Sequence, residues 1–162
     1  MLVPVVNLVP VTSGLSVNRV VIGVVDPRTT LVIKSIPRRL DQLEVYRTLL
    51  NILGCVAVDK NIVVVGIDKK GPGGISIDSH AVISPSGRID FLYLPLDSTR
   101  RNYSRGFAFA NFRSPMDVQA FATLIADEKS PADFLAGLEL FYSKFQGNCQ
   151  ELLEHVSAKH TA

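Results

Sequence analysis

The stretch "RGFAFANF", Arg105 to Phe112, sets three phenylalanines, two alanines and a glycine in eight residues, with no long aliphatic side chain among them. Side chains of a strand alternate between faces. If one face takes Gly106, Ala108, Ala110 and Phe112, the other takes Arg105, Phe107, Phe109 and Asn111. Small residues on the first face let covering elements approach closely, and Phe112 fills a core. The second face then carries two rings and a guanidinium, which is unfavourable in water unless something covers it. Flat bases stack on rings and a guanidinium pairs with phosphate, so a single-stranded nucleic acid is the ligand this spacing fits.

The charge around the stretch agrees. The whole chain carries only +2, too little to diagnose a polyanionic partner. Between Arg88 and Arg113, however, five arginines (Arg88, Arg100, Arg101, Arg105, Arg113) stand against Asp90 and Asp97, so an anion is drawn there first. With 162 residues, 47% hydrophobic and 20% charged, the chain can build one domain with extensions around a real core, and wholesale disorder is excluded. Cys55 and Cys149 lie far apart, indicating neither a disulfide scaffold nor a zinc site, and a reducing compartment is expected. The apolar start "MLVPVVNLVPVTSG" lacks a basic n-region and is broken by Pro4 and Pro10. An intracellular protein, nuclear and/or cytoplasmic and without a membrane partner, is therefore expected.

The elements that must hold the octapeptide follow from periodicity. "TTLVIKSI", Thr29 to Ile36, is a strand ended by Pro37. "RRLDQLEVYRTLLNILG" places Leu40, Leu43, Tyr46, Leu49, Leu50 and Leu53 at helical spacing, with Gly54 as the stop. Residues 55–87 read as a β-hairpin or a loosely ordered insertion. Strand-like "RIDFLYLPLD" follows, then the basic loop "STRRNYS" and the octapeptide strand. Ser114 caps a helix with Pro115 in its first position, and the strand "LELFYSKF" precedes a last helix over 147–160. Without the insertion the order is strand, helix, strand, strand, helix, strand, helix. That order predicts an α+β, ferredoxin-like βαββαβ sandwich: a four-stranded antiparallel sheet with two helices on one face, plus an extra C-terminal helix and an insertion between the first helix and second strand. Residues 1–27 read as an extension with a possible strand, and 28–162 as the domain.

"RGFAFANF" resembles the RNP-one octapeptide of the RNA recognition motif, basic-Gly-aromatic-Ala/Gly-aromatic-aliphatic-x-aromatic, departing only at Ala110. The resemblance gives Phe107 and Phe109 the stacking roles and Arg105 the basic one. "LVIKSI" then occupies the place of the partner motif RNP-two, with Val32 where a ring is usual and Ser35 where Asn or Gly is common. Val32 still reaches a base or sugar and Lys34 shares its face, but a missing base–aromatic stack costs roughly 1–3 kcal/mol. More narrowly, "TTLVIKSIP", "DFLYLPLD", "RGFAFANF" and "YSKFQGNCQELLEH" resemble the C-terminal RNA recognition motif of the Mei-two-like (meiosis protein, terminal-ear-like) family. That resemblance implies RNA binding in meiotic or developmental regulation. The 55–87 insertion departs from it.

Other residues extend the candidate surface. Tyr93 falls on the open face if Leu92 and Leu94 are core, either stacking on a base or half-buried in the ordinary way. Lys144 meets a base edge or phosphate, or is simply solvated, and Phe141 fits either face. Arg100 and Arg101 lie in a loop that flanks bound RNA in this fold and suit phosphate attraction. Arg38 and Arg39 read as surface residues. Leu152, Leu153 and Val156 form an apolar stripe on the last helix; if it covers Phe107 and Phe109, RNA must displace it. His80, His155 and His160 stand in no nucleophile, metal or acid–base motif, and "GIDKKGPGG" fails the phosphate-loop pattern. A non-catalytic module with no cofactor or metal is expected. The rival is a protein-interaction module on the same fold, with the insertion and last helix adding surface for a protein partner.

Overall fold

A computed structural model describes residues 18–52, 63–70, 76–84, 87–97, 99–100, 103–127 and 133–161. The elements are β1 (Thr30–Lys34), α1 (Gln42–Ile52), β2 (Val63–Lys70), β3 (Ser76–Ile83), β4 (Ile89–Tyr93), β5 (Phe107–Phe112), α2 (Pro115–Ala126), a short 3-10 turn (Asp133–Gly137), β6 (Glu139–Tyr142) and α3 (Cys149–Thr161). All strands pair antiparallel in one sheet, in the order β2-β3-β4-β5-β1-β6. Strands β4-β5-β1-β6 with α1 and α2 are the expected βαββαβ sandwich. The insertion is a hairpin, and it joins the sheet beside β4, so the sheet has six strands rather than four.

Alternation sorts the side chains as the sequence demands. On β1, Leu31 and Ile33 are buried, Val32 is half-buried and Lys34 is exposed; on β5, Ala108, Ala110 and Phe112 are buried. These residues meet Val45, Tyr46, Leu49 and Leu50 of α1 and Val118, Phe121, Ala122 and Ile125 of α2 in the larger core. The α1 stripe differs from expectation at one position: Leu43 is 49% exposed and Val45 takes its place in the core. The helix begins at Gln42, so its inward face is set by Gln42, Val45, Tyr46 and Leu49, three and four residues apart. Leu53, Gly54 and Cys55 lie outside the described residues. Ser114 caps α2 as expected, its hydroxyl accepting from the Asp117 amide at 3.2 Å, with Pro115 in the first turn.

Two α1 side chains tie the hairpin down. The Tyr46 hydroxyl donates to the His80 carbonyl (2.6 Å) and accepts from the Leu94 amide (2.9 Å), while Gln42 donates to the Leu94 carbonyl (2.7 Å) and accepts from the His80 amide (3.2 Å). Burial pushes the Tyr46 phenol far above its usual range. Satisfied buried groups of this kind fix the position of β3 against β4. In the N-terminal extension, the expected strand is reduced to one bridge, Arg19 opposite Phe141 at the outer edge of β6, with Val20 donating to Leu140. Its earlier part lies outside the described residues.

Gly106 does not pack in the core as its alternation suggests. It precedes β5 with φ +86°, and a Cβ there would sit 3.3 Å from the Arg38 Cγ and 3.4 Å from the Ile36 carbonyl. A glycine fits because its backbone is left-handed and crowded. Arg38 is likewise more than a surface residue: it donates to the Ser104 carbonyl (3.1 Å) and pairs with Asp97 (2.8 Å), holding the β4–β5 loop to the end of β1.

Candidate nucleic-acid interface

The sheet face opposite α1 and α2 can be followed across the strands. A row runs Ala81, Tyr93, Phe109, Val32, Phe141, Arg19, each residue opposite the next. A neighbouring row runs Phe107, Lys34, Glu139. Phe107 and Phe109 are both half-buried and meet edge to face, 5.6 Å between centroids. The exposed Arg105 holds its guanidinium 5.5 Å from the Phe107 ring. Lys34 approaches the Phe141 ring at 4.7 Å and Arg19 at 4.9 Å, a cation–π arrangement that keeps positive charge over this ring.

One end of this face is covered. A second cluster joins Ile67 of β2, Ala81 of β3, and Phe91 and Tyr93 of β4 to Leu152 and Val156 of α3, with Phe109, Phe145 and Leu153 at its margin. The stripe anticipated on the last helix is real, but it lies over the β2–β4 half and not over Phe107. A bulge at Asp90 makes this possible. The register slips between Ile89 and Phe91, so Ile89 enters the larger core while Phe91 turns toward α3. Tyr93 is on the expected face beside Phe109 yet 0% exposed; burial pushes its phenol up. It is a support for α3, not a free stacking platform.

The helix is anchored where the chain leaves β6. Gln146 accepts from the Thr29 and Thr30 amides (3.1 and 3.0 Å) and donates to the Thr30 and Ser143 carbonyls (2.8 and 2.9 Å). Asn148 and Glu151 then form a reciprocal capping box, 2.9 and 2.8 Å. Asn111 belongs to this support rather than to the surface. It is 4% exposed, its carbonyl accepts from the Thr29 and Thr30 hydroxyls, and its amide donates to Asp90 at 2.9 Å. Burial raises the Asp90 carboxyl above its usual range, against the hydrogen bond from Asn111 and the nearby Arg113.

The open half therefore brings together Phe107, Phe109, Arg105, Val32 and Lys34, with the exposed Lys144 at its margin. Arg100 is exposed and stacks 4.0 Å over Tyr103 of its own loop; Arg101 lies outside the described residues. In the sequence Phe141 fits either face, and neither Arg19 nor Phe145 stands in a motif that would mark it. The burial of Leu140 and Tyr142 sets the phase of β6, turning Phe141 to the open face. Ser35 sits at φ 69°, a left-handed conformation that Asn and Gly adopt more readily. Among the described residues no three His, Cys, Asp or Glu side chains gather as a metal site would need, and no helix is long and apolar enough to cross a membrane.

The chain matches no protein-family model and no curated protein. Among solved structures it is similar to the RNA recognition motif of Rna15 with bound RNA (GU), at 16% identity and a TM-score of 0.43, over 80% of this chain and 98% of that one. The element order and strand pairing themselves make this a ferredoxin-like α+β fold with an added hairpin and C-terminal helix.

Proposed function

We propose that this chain is a non-catalytic, single-stranded RNA-binding module that stacks bases on the uncovered half of its sheet. The observation that carries the proposal is the coexistence, on one open surface, of Phe107, Phe109 and Phe141 with Arg105, Lys34 and Arg19. Rings and cations interleaved at strand spacing suit a ligand with flat apolar faces and a regularly charged backbone. The motif resemblance to the Mei-two-like family supports an extension of the proposal to meiotic or developmental RNA regulation, inside the cell.

The test is a titration of a degenerate single-stranded RNA pool against wild type and a Phe107→Ala/Phe109→Ala double variant, at low and physiological salt. Circular dichroism checks that both fold. Each lost stack is worth roughly 1–3 kcal/mol, so the double variant binds at least tenfold more weakly. Equal binding by both proteins refutes the proposed surface, and no binding by wild type favours a protein-interaction module.

A further inference from the structure

A second cavity lies where β1 begins and β5 ends, away from the stacking rings. It measures about 570 Å³, within the roughly 300–1,000 Å³ usual for small-molecule sites. Arg28, Thr29, Asp90, Asn111 and Arg113 line it with the 146–148 link into α3, and none of Phe107, Phe109 and Phe141 borders it. Two of these side chains are incompletely used. The half-buried Asp90 accepts at Oδ1 from the Asn111 amide (2.9 Å), and no other side chain of the described residues donates to its carboxyl. The exposed Arg113 donates through Nε and Nη2 to the Gly87 and Ser84 carbonyls, which leaves Nη1 without an acceptor among the described residues. The Arg113 charge acts on Asp90, yet the two form no ion pair. An open acceptor and an open donor thus border one cavity without closing on each other. A half-buried carboxylate this sparsely hydrogen-bonded opposes folding, and a ligand that donates to it removes the penalty.

We infer that this cavity takes a guanine base of the bound strand, its N1–H and N2–H donating to the Asp90 carboxylate and its O6 accepting from Arg113 Nη1. The inference rests on the RNA-binding reading and deepens it by naming a base. Guanine alone among the four bases sets two adjacent donors beside an acceptor on its pairing edge; adenine, cytosine and uracil each turn a lone pair toward the carboxylate. Arg28, held by Asp26 at 2.8 Å and set over the Tyr142 ring at 4.1 Å, supplies a guanidinium for the base to stack on where no ring is present. The cavity is within reach of the same strand. Asn111 follows Phe109 by two residues on one face of β5, about 7 Å along the strand.

The experiment reads a base preference and its loss. Labelled single-stranded uridine hexamers carrying one G, A or C, at each position in turn, are titrated by fluorescence anisotropy alongside the all-uridine hexamer. Wild type should bind the best guanine hexamer at least about fivefold more tightly than the all-uridine one. In Asp90→Asn, Asn111 still finds its acceptor, so the new amide nitrogen takes the cavity side and a donor stands where the carboxylate accepted. That variant should lose the guanine preference, with circular dichroism confirming its fold. Equal affinity of wild type for all hexamers, a preference for A or C, or a guanine preference that survives in Asp90→Asn overturns the pocket; weakened binding by Phe107→Ala/Phe109→Ala then leaves the RNA face standing. No binding of any hexamer by wild type overturns both. Independently of any variant, the Asn111 side-chain amide resonances of wild type must move further with the guanine hexamer than with the all-uridine one, and equal positions in the two complexes overturn the pocket.

Discussion

Leu152→Ala decides whether α3 competes with RNA or borders it. Leu152 is 1% exposed and Val156 3%, both packed on Ile67, Ala81, Phe91 and Tyr93. Burying two such side chains stabilises the docked helix by about 3–6 kcal/mol, taking about 1.5–3 kcal/mol for each. A base gaining Tyr93 as a platform offers only about 1–3 kcal/mol. Lifting the helix for one further stack is therefore unfavourable, and the helix stays down when RNA binds. Truncating Leu152 removes about 2–5 kcal/mol of that packing. In a competing lid, a loss of even 2 kcal/mol would tighten RNA binding about 30-fold. In a fixed border, affinity is unchanged or falls while the melting temperature drops by roughly 4–20 °C, at about 2–4 °C per kcal/mol for a chain of this size. Thermal melts by circular dichroism and anisotropy titration with labelled single-stranded RNA read the two quantities separately. Tighter binding by the variant, or α3 amides losing exchange protection in wild type on adding RNA, would refute the reasoning.

Two further substitutions test the supports of the site. Gly106→Ala forces a side chain into φ +86° and against Arg38 and the Ile36 carbonyl, and should destabilise by about 1–2 kcal/mol, read as a lower midpoint in urea; an unchanged midpoint contradicts the assignment of Gly106 to backbone geometry. Asp90 holds its proton more tightly folded than unfolded, so its ionisation opposes folding increasingly as pH rises through the unfolded value near 3.9 and then the raised folded one. Asp90→Asn keeps an acceptor for Asn111 and removes that penalty: the variant melts higher than wild type at pH 7, and the gap closes toward low pH. A variant less stable than wild type at pH 7 sinks this account.

Local patterns made much of the fold legible. The period of two in "TLVIK" and "FAFANF" sorted core from open face, and the Ser114–Pro115 signal placed the start of α2. Elsewhere the local pattern is silent. Leu43 and Val45 exchange roles because the α1 face depends on where the helix begins. Phe141 had no readable phase because β6 is only four residues long and its neighbours are all aromatic or aliphatic but one. Asn111 sits at an exposed-face position of β5 yet is consumed by Thr29, Thr30 and Asp90, partners 82, 81 and 21 residues away.

The βαββαβ order, the outward rings of the octapeptide and the apolar stripe of the last helix are written in the sequence, because alternation and helical spacing are properties of neighbouring residues. Which half of the face stays open depends instead on long-range packing. The hairpin of the insertion pairs with β4, the Asp90 bulge turns Phe91 and leaves Tyr93 toward α3, and Gln146 pins the chain to β1 so that the helix lands on the widened sheet. Each of those contacts joins residues distant in the chain, and their sum leaves Val32 uncovered at the foot of a wall.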